Sequence, residues 1–394
     1  MNKFRSFIAL TLTLFINLNT FLPANAVNQF KFAGSGFGHG VGLSQIGAKA
    51  MAIEGKSAEE ILKYYFTGVT IEPVADWYDL RVNIGHQLKR AKLQLASNKG
   101  YLKINDFHIN DKQSVATFTY TNAGIVTTIK KDAVIVMTLP ATNSITIQWS
   151  GTRFLEGESS LITFTADKSV KYQFGQINLM IVGKSFEATN TVRLKDEYLY
   201  GISEVSSSWP MESLRAQAIA ARTYAISKAG IYRPSCDCEL YGSIKDQLFV
   251  GIAKISEAKY GSAWKAAVDS TSVDDENGEA ITYMGNPISA YYSSSTGGST
   301  ESALNAFGTA VDYLVPVPDP VSLDPKQNPR FANWERSVAA TVVAKAFLLP
   351  DVVNLVINGK RIEAISSTGA KASLRLETFR SRAGLPSSTF KIII

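Results

Sequence analysis

Residues 197–226 read EYLYGISEVSSSWPMESLRAQAIAARTYAI and predict a polar turn followed by a buried helix. Pro210 suits the first helical position, where its missing N–H and fixed φ cost nothing. Glu212 lies in the first turn, where a negative charge complements the helix dipole. Alanines cover most of the helix, which predicts that other elements surround it. Buried polar side chains on such a helix need partners, so we expect it to anchor a polar network.

A second informative stretch is GSGFGHGVGLSQIGAKAMAIEGKSAEEILKYYFTG, residues 34–68. Its alternating glycines let the backbone adopt conformations that are closed to other residues and approach a partner closely. The spacing never gives G-x-G-x-x-G, and Gly47 is followed by Ala48 instead of the Lys-Ser/Thr of a phosphate-binding loop. The stretch therefore predicts neither nucleotide motif. His39 stands between two glycines, and both a packing role and a place in a binding groove stay open.

Both stretches resemble the motifs of the SpoIID family, the sporulation stage II protein D family whose domain also occurs in the LytB amidase enhancers. The family pattern Y-L-x-G-V-x-x-E-M-P-x-x-W-P-x-E-A-L-K-A-Q-A-V-A-A-R-T-Y-A is matched by Glu204, Trp209, Pro210 and most of the helix. Val205-Ser206 replaces the usual Met-Pro. The resemblance covers roughly residues 30–70 and 165–394.

The order of these segments departs from the family. In relatives the glycine-histidine segment follows the glutamate domain, whereas here it comes first. This is a circular rearrangement. Both the run 389–394 and the run Phe30-Lys31-Phe32 are apolar and β-like, and as loose tails they would expose large side chains. We therefore predict that the two runs pair in one sheet, with the termini close together.

The resemblance implies that the substrate is the glycan strand of peptidoglycan. A glycosidic bond needs an acid to protonate the leaving oxygen, and a lytic transglycosylase manages with one carboxylate, for which Glu204 is the candidate. We predict that Glu204 lies in a groove between the Ser294–Gly298 loop and the Gly36–Gly42 loop. The groups predicted to bind and orient the substrate are Gln217, Arg222, Tyr224, Ser294, Ser295, Gly297 and His39.

Two other classes of function stay open. One is a non-catalytic wall-binding module that stimulates an N-acetylmuramoyl-L-alanine amidase, as the enhancer name implies. The other is a serine hydrolase that uses the run Ser293–Ser295. This run lacks G-x-S-x-G and S-x-x-K and has only His39 as a base, so the serine hydrolase is the weakest of the three hypotheses.

The element pattern predicts an α+β fold, with a β-rich core, a few packed helices and a β-rich inserted region. The predicted divisions are a signal peptide (1–26), the glycine-histidine segment (27–72), an inserted domain (73–164) and the SpoIID-like core (165–394). Within the insertion, Ala133–Leu139 is too short for a membrane span. We predict that it is a buried strand.

Residues 1–26 have the pattern of a secretory signal. Lys3 and Arg5 precede an apolar run from Phe7 to Leu22, and Ala24-Asn25-Ala26 is an A-x-A cleavage site. The pattern predicts a secreted, wall-associated protein with no membrane span after cleavage. The formal charge of +6 is mildly basic. This charge suits binding to an anionic wall polymer. The sequence has no stripe of Arg and Lys residues of the kind that indicates nucleic-acid binding.

Cys236 and Cys238 are the only cysteines. In an exported protein a disulfide is the first hypothesis, although two cysteines so close together close a tight ring. Relatives can carry zinc near here through two cysteines and a histidine. No histidine is near these two in sequence, and two thiolates alone do not make a zinc site. A disulfide or free thiols are therefore favoured, and we predict no cofactor.

Overall fold

The computed structural model describes residues 28–393, so the predicted signal peptide lies outside the described residues. The fold is α+β, as predicted. Its helices are α1 Gln45–Ile53, α2 Ala58–Tyr65, α3 Met211–Ile226, α4 Gly261–Asp269, α5 Ala303–Phe307, α6 Ala340–Phe347 and α7 Leu376–Ala383. Shorter helical turns span Leu194–Tyr198, Leu199–Gly201, Gly251–Ala253 and Pro320–Leu323.

The strands of the first half are β1 Gln29–Gly34, β2 Leu43–Ser44, β3 Thr70–Ala75, β4 Asp79–Leu88, β5 Arg90–Leu95, β6 Leu102–Ile104, β7 Phe107–Ile109, β8 Ser114–Thr121, β9 Gly124–Lys131, β10 Val134–Thr142, β11 Ser144–Trp149, β12 Ile162–Thr165, β13 Ser169–Tyr172, β14 Gln176–Val182 and β15 Ser185–Arg193. Those of the second half are β16 Leu240–Tyr241, β17 Asn277–Tyr283, β18 Asn286–Pro287, β19 Tyr292–Ser293, β20 Gly298–Ser299, β21 Pro318–Asp319, β22 Trp334–Ala339, β23 Asn354–Asn358, β24 Arg361–Ile365, β25 Lys371–Arg375 and β26 Phe390–Ile393.

Helix α3 is the centre of the larger hydrophobic core. Every residue from Ser213 to Ala225 is buried except Arg215, and α1, α2, α4 and β17 pack around the helix. The prediction of a surrounded helix is confirmed. Pro210 is its N-cap residue, and the helix ends at Ile226.

Two large sheets follow the glycine-histidine segment. One has the order β10-β9-β8-β5-β12-β13 and the other β16-β4-β15-β14-β11-β6-β7. The region is β-rich, as predicted, but the structure does not divide the chain at the predicted boundaries. Strand β12 runs through residues 164 and 165, and β3 runs through residues 72 and 73 to pair with β17. Strand β16 pairs with β4 and so joins the second sheet to the region after α3.

The prediction that Ala133–Leu139 is a buried strand is wrong. These residues belong to β10, which lies at the edge of its sheet. Val134 and Ile135 are 67% and 58% exposed, and Val136 and Met137 are also exposed. An apolar run shows that a strand can be buried, but only the neighbouring elements decide whether anything covers it.

The N-terminal strand β1 lies between β22 and β26 in a three-stranded sheet. It is antiparallel to β26, with Phe32 opposite Ile392 and Lys31 opposite Ile393. The predicted pairing of the two terminal runs is therefore confirmed. The ring of Phe32 packs at 5.6 Å from the rings of both Phe379 and Phe390, in a second, smaller core formed mainly by the C-terminal region.

The glycine-histidine segment is held against the serine-rich segment that follows β18. Strand β2 pairs in parallel with β19, and Phe37 pairs with Ser295. Gly36 has a φ of +85°, and a Cβ there would lie 2.8 Å from the amide nitrogen of Gly297. A Cβ on Gly42 would lie 2.1 Å from the Tyr291 carbonyl oxygen. Side chains at these positions would prevent the close backbone approach.

Candidate functional site

Glu204 lies in the turn before α3, where a short backbone pairing fixes it. The Ser203 N–H donates to the Leu248 carbonyl at 2.9 Å, and the Val250 N–H donates to the Gly201 carbonyl at 2.8 Å. Between these bonds the Leu248 N–H donates to Glu204 Oε1 at 2.6 Å. The carboxyl group is thus half-buried and held from one side by a backbone amide.

The surroundings of Glu204 favour its protonated form. Burial raises the pKa of the Glu204 carboxyl group, because the charged form loses its hydration. The Leu248 N–H and the Tyr292 hydroxyl lower that pKa but do not cancel the effect of burial. A carboxyl group with a raised pKa keeps more of its proton near neutral pH, as a general acid must.

A hydrogen-bonded chain surrounds the carboxyl group. Gln247 donates through Nε2 to the Tyr292 hydroxyl at 2.9 Å and accepts through Oε1 from the Tyr198 hydroxyl at 2.9 Å. Burial raises the pKa of both tyrosines well above 10.0, so their hydroxyl groups stay neutral. We call Glu204, Tyr198, Gln247 and Tyr292 the Glu204 cluster.

The sequence analysis missed Gln247 and the role of Tyr292. Gln247 is completely buried, yet in the sequence it is one polar residue in a loop. Tyr292 directly precedes the serine run that was singled out. Its place beside that run was the only available signal, because the partners of both side chains come from distant parts of the chain.

Tyr224 contacts the cluster through its ring. The ring lies 6.5 Å from that of Tyr292 and 5.9 Å from that of Tyr291. Its hydroxyl donates to Asp246 Oδ1 at 2.8 Å. Asp246 also forms an ion pair with Arg233 at 2.8 Å. Both oxygens of the Asp246 carboxylate are therefore occupied.

The predicted substrate contact of Arg222 does not agree with the structure. Its side chain is completely buried and forms an ion pair with Asp76 at 2.8 Å. Its Nη1 also donates to Thr271 Oγ1 at 2.9 Å. Because a buried guanidinium with these partners cannot reach a bound polymer, Arg222 stabilises the packing of α3.

Gln217 is also buried, but it connects residues 34–68 with residues 197–226, the two stretches that resemble the family motifs. Its Oε1 accepts from Gln45 Nε2 at 3.1 Å, which ties α3 to α1. Its Nε2 has no hydrogen-bond partner among residues 28–393. Gln217 Nε2 is thus an unused donor, as are Arg215 Nε and Arg222 Nη2 on the same helix.

The serine-rich loop has one accessible and one inaccessible serine. Ser294 is half-buried, and its carbonyl accepts from the Ile46 N–H at 3.1 Å. Ser295 is completely buried, so it cannot bind a substrate as predicted and instead holds the loop against Phe37. Gly297 has a φ of +84°, and a Cβ there would lie 2.7 Å from the Ser35 carbonyl oxygen.

His39 lies near the tyrosines that contact the Glu204 cluster. Its ring packs edge-on against Tyr291 at 5.8 Å and against Phe307 at 5.5 Å. Burial and the charge of Arg380 lower the pKa of His39 to about 4, so the ring is neutral. The Val41 N–H donates to Nδ1 at 3.0 Å, which leaves the ring proton on Nε2.

These contacts assemble part of the predicted site. Tyr291 and Tyr292 connect His39 with Tyr224 and Glu204, and the Ser294 loop and the glycine loop pair with each other directly beside them. Arg222 and Ser295 do not take part, since both are completely buried.

Cys236 and Cys238 form a disulfide. Cys236 and Asp237, the residue between the two cysteines, contact the second large sheet: Asn83 Nδ2 donates to the Cys236 carbonyl at 3.0 Å, and Arg81 pairs with Asp237 at 2.7 Å. Between residues 28 and 393, no group of three or more His, Cys, Asp or Glu side chains is arranged to hold a metal ion. Over the same range, no helix is long and apolar enough to span a membrane.

Comparison with known proteins identifies the central segment. Residues 182–283, which include Glu204 and the whole of α3, match the model of the family described as Stage II sporulation protein, SpoIID. This segment is therefore similar to the SpoIID domain. No solved structure matches the chain.

The chain is similar to three curated proteins over part of its length. It is 32% identical over 143 residues to an uncharacterized protein of Brachyspira hyodysenteriae. The matched residues make up 36% of this chain and 36% of that one. It is 32% identical over 114 residues to the amidase enhancer of Bacillus subtilis, 29% of this chain and 14% of that one. It is 27% identical over 157 residues to stage II sporulation protein D of Bacillus subtilis, 37% of this chain and 43% of that one. The chain thus spans less than half the length of these relatives.

Proposed function

We propose that this protein is exported and remodels the cell wall by cleaving the glycan strand of peptidoglycan as a lytic transglycosylase. Three facts support the proposal: the similarity of residues 182–283 to the SpoIID domain, the similarity to a sporulation protein, and the surroundings of Glu204. The main observation is that the half-buried Glu204 carboxyl group has a raised pKa and is held by neutral donors. Such a group can give up a proton and take one back.

In the proposed reaction, Glu204 acts as both acid and base. Its proton goes to the glycosidic oxygen between the muramic residue and the next sugar, and the C1–O bond breaks. The C6 hydroxyl of the same muramic residue then attacks C1 and gives its proton to the Glu204 carboxylate. The products are a 1,6-anhydro-muramic end and a free 4-hydroxyl, and Glu204 is protonated again. No water is consumed.

A second carboxylate is not needed for this chemistry. Hydrolases of glycosidic bonds normally use two carboxyl groups. Asp246 acts on Tyr198, as Glu204 does, and the oxygens of Asp246 are engaged by Arg233 and Tyr224. It is therefore poorly suited to activate a water molecule. This arrangement favours transfer to the C6 hydroxyl over hydrolysis.

The neighbouring groups have positioning roles in this proposal. Tyr292 and the Leu248 N–H stabilise the Glu204 carboxylate after it has lost its proton. His39 offers an Nε2–H donor beside Tyr291, and Ser294 offers a half-buried hydroxyl group. Gln217 has an unused Nε2 donor. Tyr224 contributes the ring that packs against Tyr292.

The test is digestion of peptide-free glycan strands, followed by mass spectrometry of the products. We expect 1,6-anhydro-muramic ends with the wild-type protein and none with Glu204→Gln. The variant should be at least as stable at neutral pH, because it removes a buried group whose ionised form is disfavoured. Cleavage by a folded Glu204→Gln protein at the wild-type rate would remove Glu204 from this role.

The second candidate is a non-catalytic module that stimulates a cell-wall amidase. The observation in its favour is the similarity to the amidase enhancer of Bacillus subtilis. The two candidates differ in what Glu204→Gln does to amidase-dependent wall lysis in a mixture with a purified N-acetylmuramoyl-L-alanine amidase. A pure enhancer would stimulate equally well with Gln at this position and would leave peptide-free strands uncut.

A further inference from the structure

A cavity lies beside the glycine-histidine segment. Its volume is about 270 Å³. Roughly nine water molecules occupy that volume in the liquid. We call it the hydroxyl cavity, because serine and threonine residues dominate its wall. The residues that matter for the argument are Thr296, Thr300, Ser388, Asn305, Glu301 and Lys360.

The two charged groups of the hydroxyl cavity neutralise each other. Glu301 Oε2 lies 2.5 Å from Lys360 Nζ, and Glu301 Oε1 accepts from Asn305 Nδ2 at 2.8 Å. Burial acts to raise the pKa of Glu301, but the hydrogen bonds from Lys360, Asn305 and the Ser302 N–H outweigh it and lower the pKa. A strongly anionic ligand would meet the Glu301 carboxylate. A neutral ligand avoids this repulsion. The Thr296 and Thr300 hydroxyl groups are engaged within the protein, so the hydroxyl group offered to such a ligand is that of Ser388.

The glycine loop gives the cavity its space and places it near the Glu204 cluster. Gly38 and Gly40 line it, while His39 between them packs against Tyr291 and Phe307. A Cβ on Gly40 would lie 3.8 Å from Glu301 Cβ and would fill part of the cavity. Tyr291 is the residue next to Tyr292 of the Glu204 cluster.

Helix α5 ties the two sites together. Its Asn305 lines the hydroxyl cavity, and its Phe307 packs against His39 and Tyr291. The C-terminal region supplies the opposite wall through Ser388 and Lys360. The cavity therefore lies where the SpoIID-like part of the fold meets the small C-terminal core, a usual place for a ligand site.

We propose that the hydroxyl cavity binds one N-acetylhexosamine residue of the glycan strand whose cleavage Glu204 performs. The inference rests on the proposed function for the identity of the polymer. It adds a subsite for a sugar residue away from the bond that is cut. A glycan strand that occupies both the hydroxyl cavity and the Glu204 cluster would contact the protein on either side of His39.

The test measures binding separately from cleavage. Ser388 is half-buried, and none of the side-chain hydrogen bonds between residues 28 and 393 involves it, so Ser388→Tyr should fill the cavity without breaking a contact. We expect calorimetric titration with a peptide-free peptidoglycan hexasaccharide, in the Glu204→Gln background, to show an affinity lower by about tenfold or more. Ser256→Tyr, which fills a separate cavity of about 740 Å³, is the matched control and should change the affinity by less than about twofold.

Three outcomes would overturn the inference. The first is an unchanged affinity of a folded Ser388→Tyr protein for the hexasaccharide, and the second is an equal loss of affinity with Ser256→Tyr. The third is that the free stem tetrapeptide competes for the cavity and the hexasaccharide does not. If Ser388→Tyr does not fold, Glu301→Gln keeps the shape of the side chain and should lower the affinity by about threefold or more. A wild-type protein that binds the hexasaccharide through this cavity but never cuts it would refute the lytic proposal and leave the subsite standing.

Discussion

At the scale of single residues, the proposed chemistry depends on the environment of one carboxyl group. Glu204 has a raised pKa because it is half-buried, and two hydrogen bonds limit the rise. The Leu248 amide is part of the backbone and cannot be altered by a side-chain change. The Tyr292 hydroxyl can be removed. This makes the Glu204–Tyr292 contact the most direct place to test the proposed acid.

We predict that Tyr292→Phe moves the alkaline limb of the pH profile of kcat/KM to higher pH. The hydroxyl group stabilises the charged form of Glu204, so its loss raises the pKa of the carboxyl group further. A general acid is active while it is protonated, and the rate then falls at a higher pH. The measurement is strand cleavage across the pH range.

Tyr291→Phe is the control for this prediction. The Tyr291 ring contacts His39 and Tyr224, and its hydroxyl does not act on the Glu204 carboxyl group. Its alkaline limb should stay at the wild-type position. An alkaline limb that moves to lower pH in Tyr292→Phe, or that does not move, would contradict the assignment of Glu204 as the acid.

At the scale of elements, helix α3 depends on a buried ion pair. Arg222 and Asp76 are both completely buried, and Asp76 directly follows β3. Arg215 lies two turns earlier on the same helix, is 29% exposed, and pairs with Glu212 and Glu279. Replacing each arginine in turn therefore compares the loss of a buried ion pair with the loss of a partly exposed one on the same helix.

We predict that Arg222→Met lowers the free energy of unfolding by about 3–5 kcal/mol, because it leaves the Asp76 carboxylate buried without its partner. Arg215→Met should cost less than about 1 kcal/mol. Urea unfolding followed by circular dichroism gives both values. If Arg222→Met kept full stability but lost affinity for glycan strands, Arg222 would be a substrate-binding residue after all.

At the scale of the whole molecule, the first and last described strands, β1 and β26, pair in one small sheet. Strand β1 is paired on both sides, and Lys31 lies opposite Ile393 near the end of β26. The strands are antiparallel, so the end of β26 lies beside the start of β1. A short turn is enough to join two such strands. The family's usual order of segments would need only that connection.

We predict that a circularly permuted protein folds and keeps its activity. The permuted chain begins at Gly68, runs to Ile394, and continues through a four-residue Gly-Ser linker into residues 28–67. Thr67 and Gly68 are exposed in the turn between α2 and β3, where new termini are best tolerated. The melting temperature should lie within a few degrees of the parent chain that begins at residue 28.

A chain that lacks residues 390–394 is the control for the permutation. It removes the partner of β1 and the Phe390 ring that packs on Phe32, so it should lose the small core. If the truncated chain were as stable as the parent, or if the permuted chain did not fold, then the pairing of β1 with β26 would not hold the ends of the protein together.

By itself the sequence determined the features that depend on local patterns. The alanine-rich run after Pro210 specifies α3, and the residues around Glu204 specify the turn that carries the acid candidate. The apolar runs at both ends specify strands that need cover, which was enough to predict the pairing of β1 with β26. Helix periodicity, caps and apolar content act within a few residues, so they can be recognised without a structure.

Only the tertiary structure decided which side chains meet. Arg222 finds Asp76 146 positions away along the chain, and Gln247 connects Tyr198 with Tyr292 across the Glu204 cluster. Among residues 28–393, β10 lies at the edge of its sheet with most of its side chains exposed, which no property of its own residues shows. Burial, pairing and pKa shifts arise from contacts between segments far apart in sequence, and long-range packing sets those contacts.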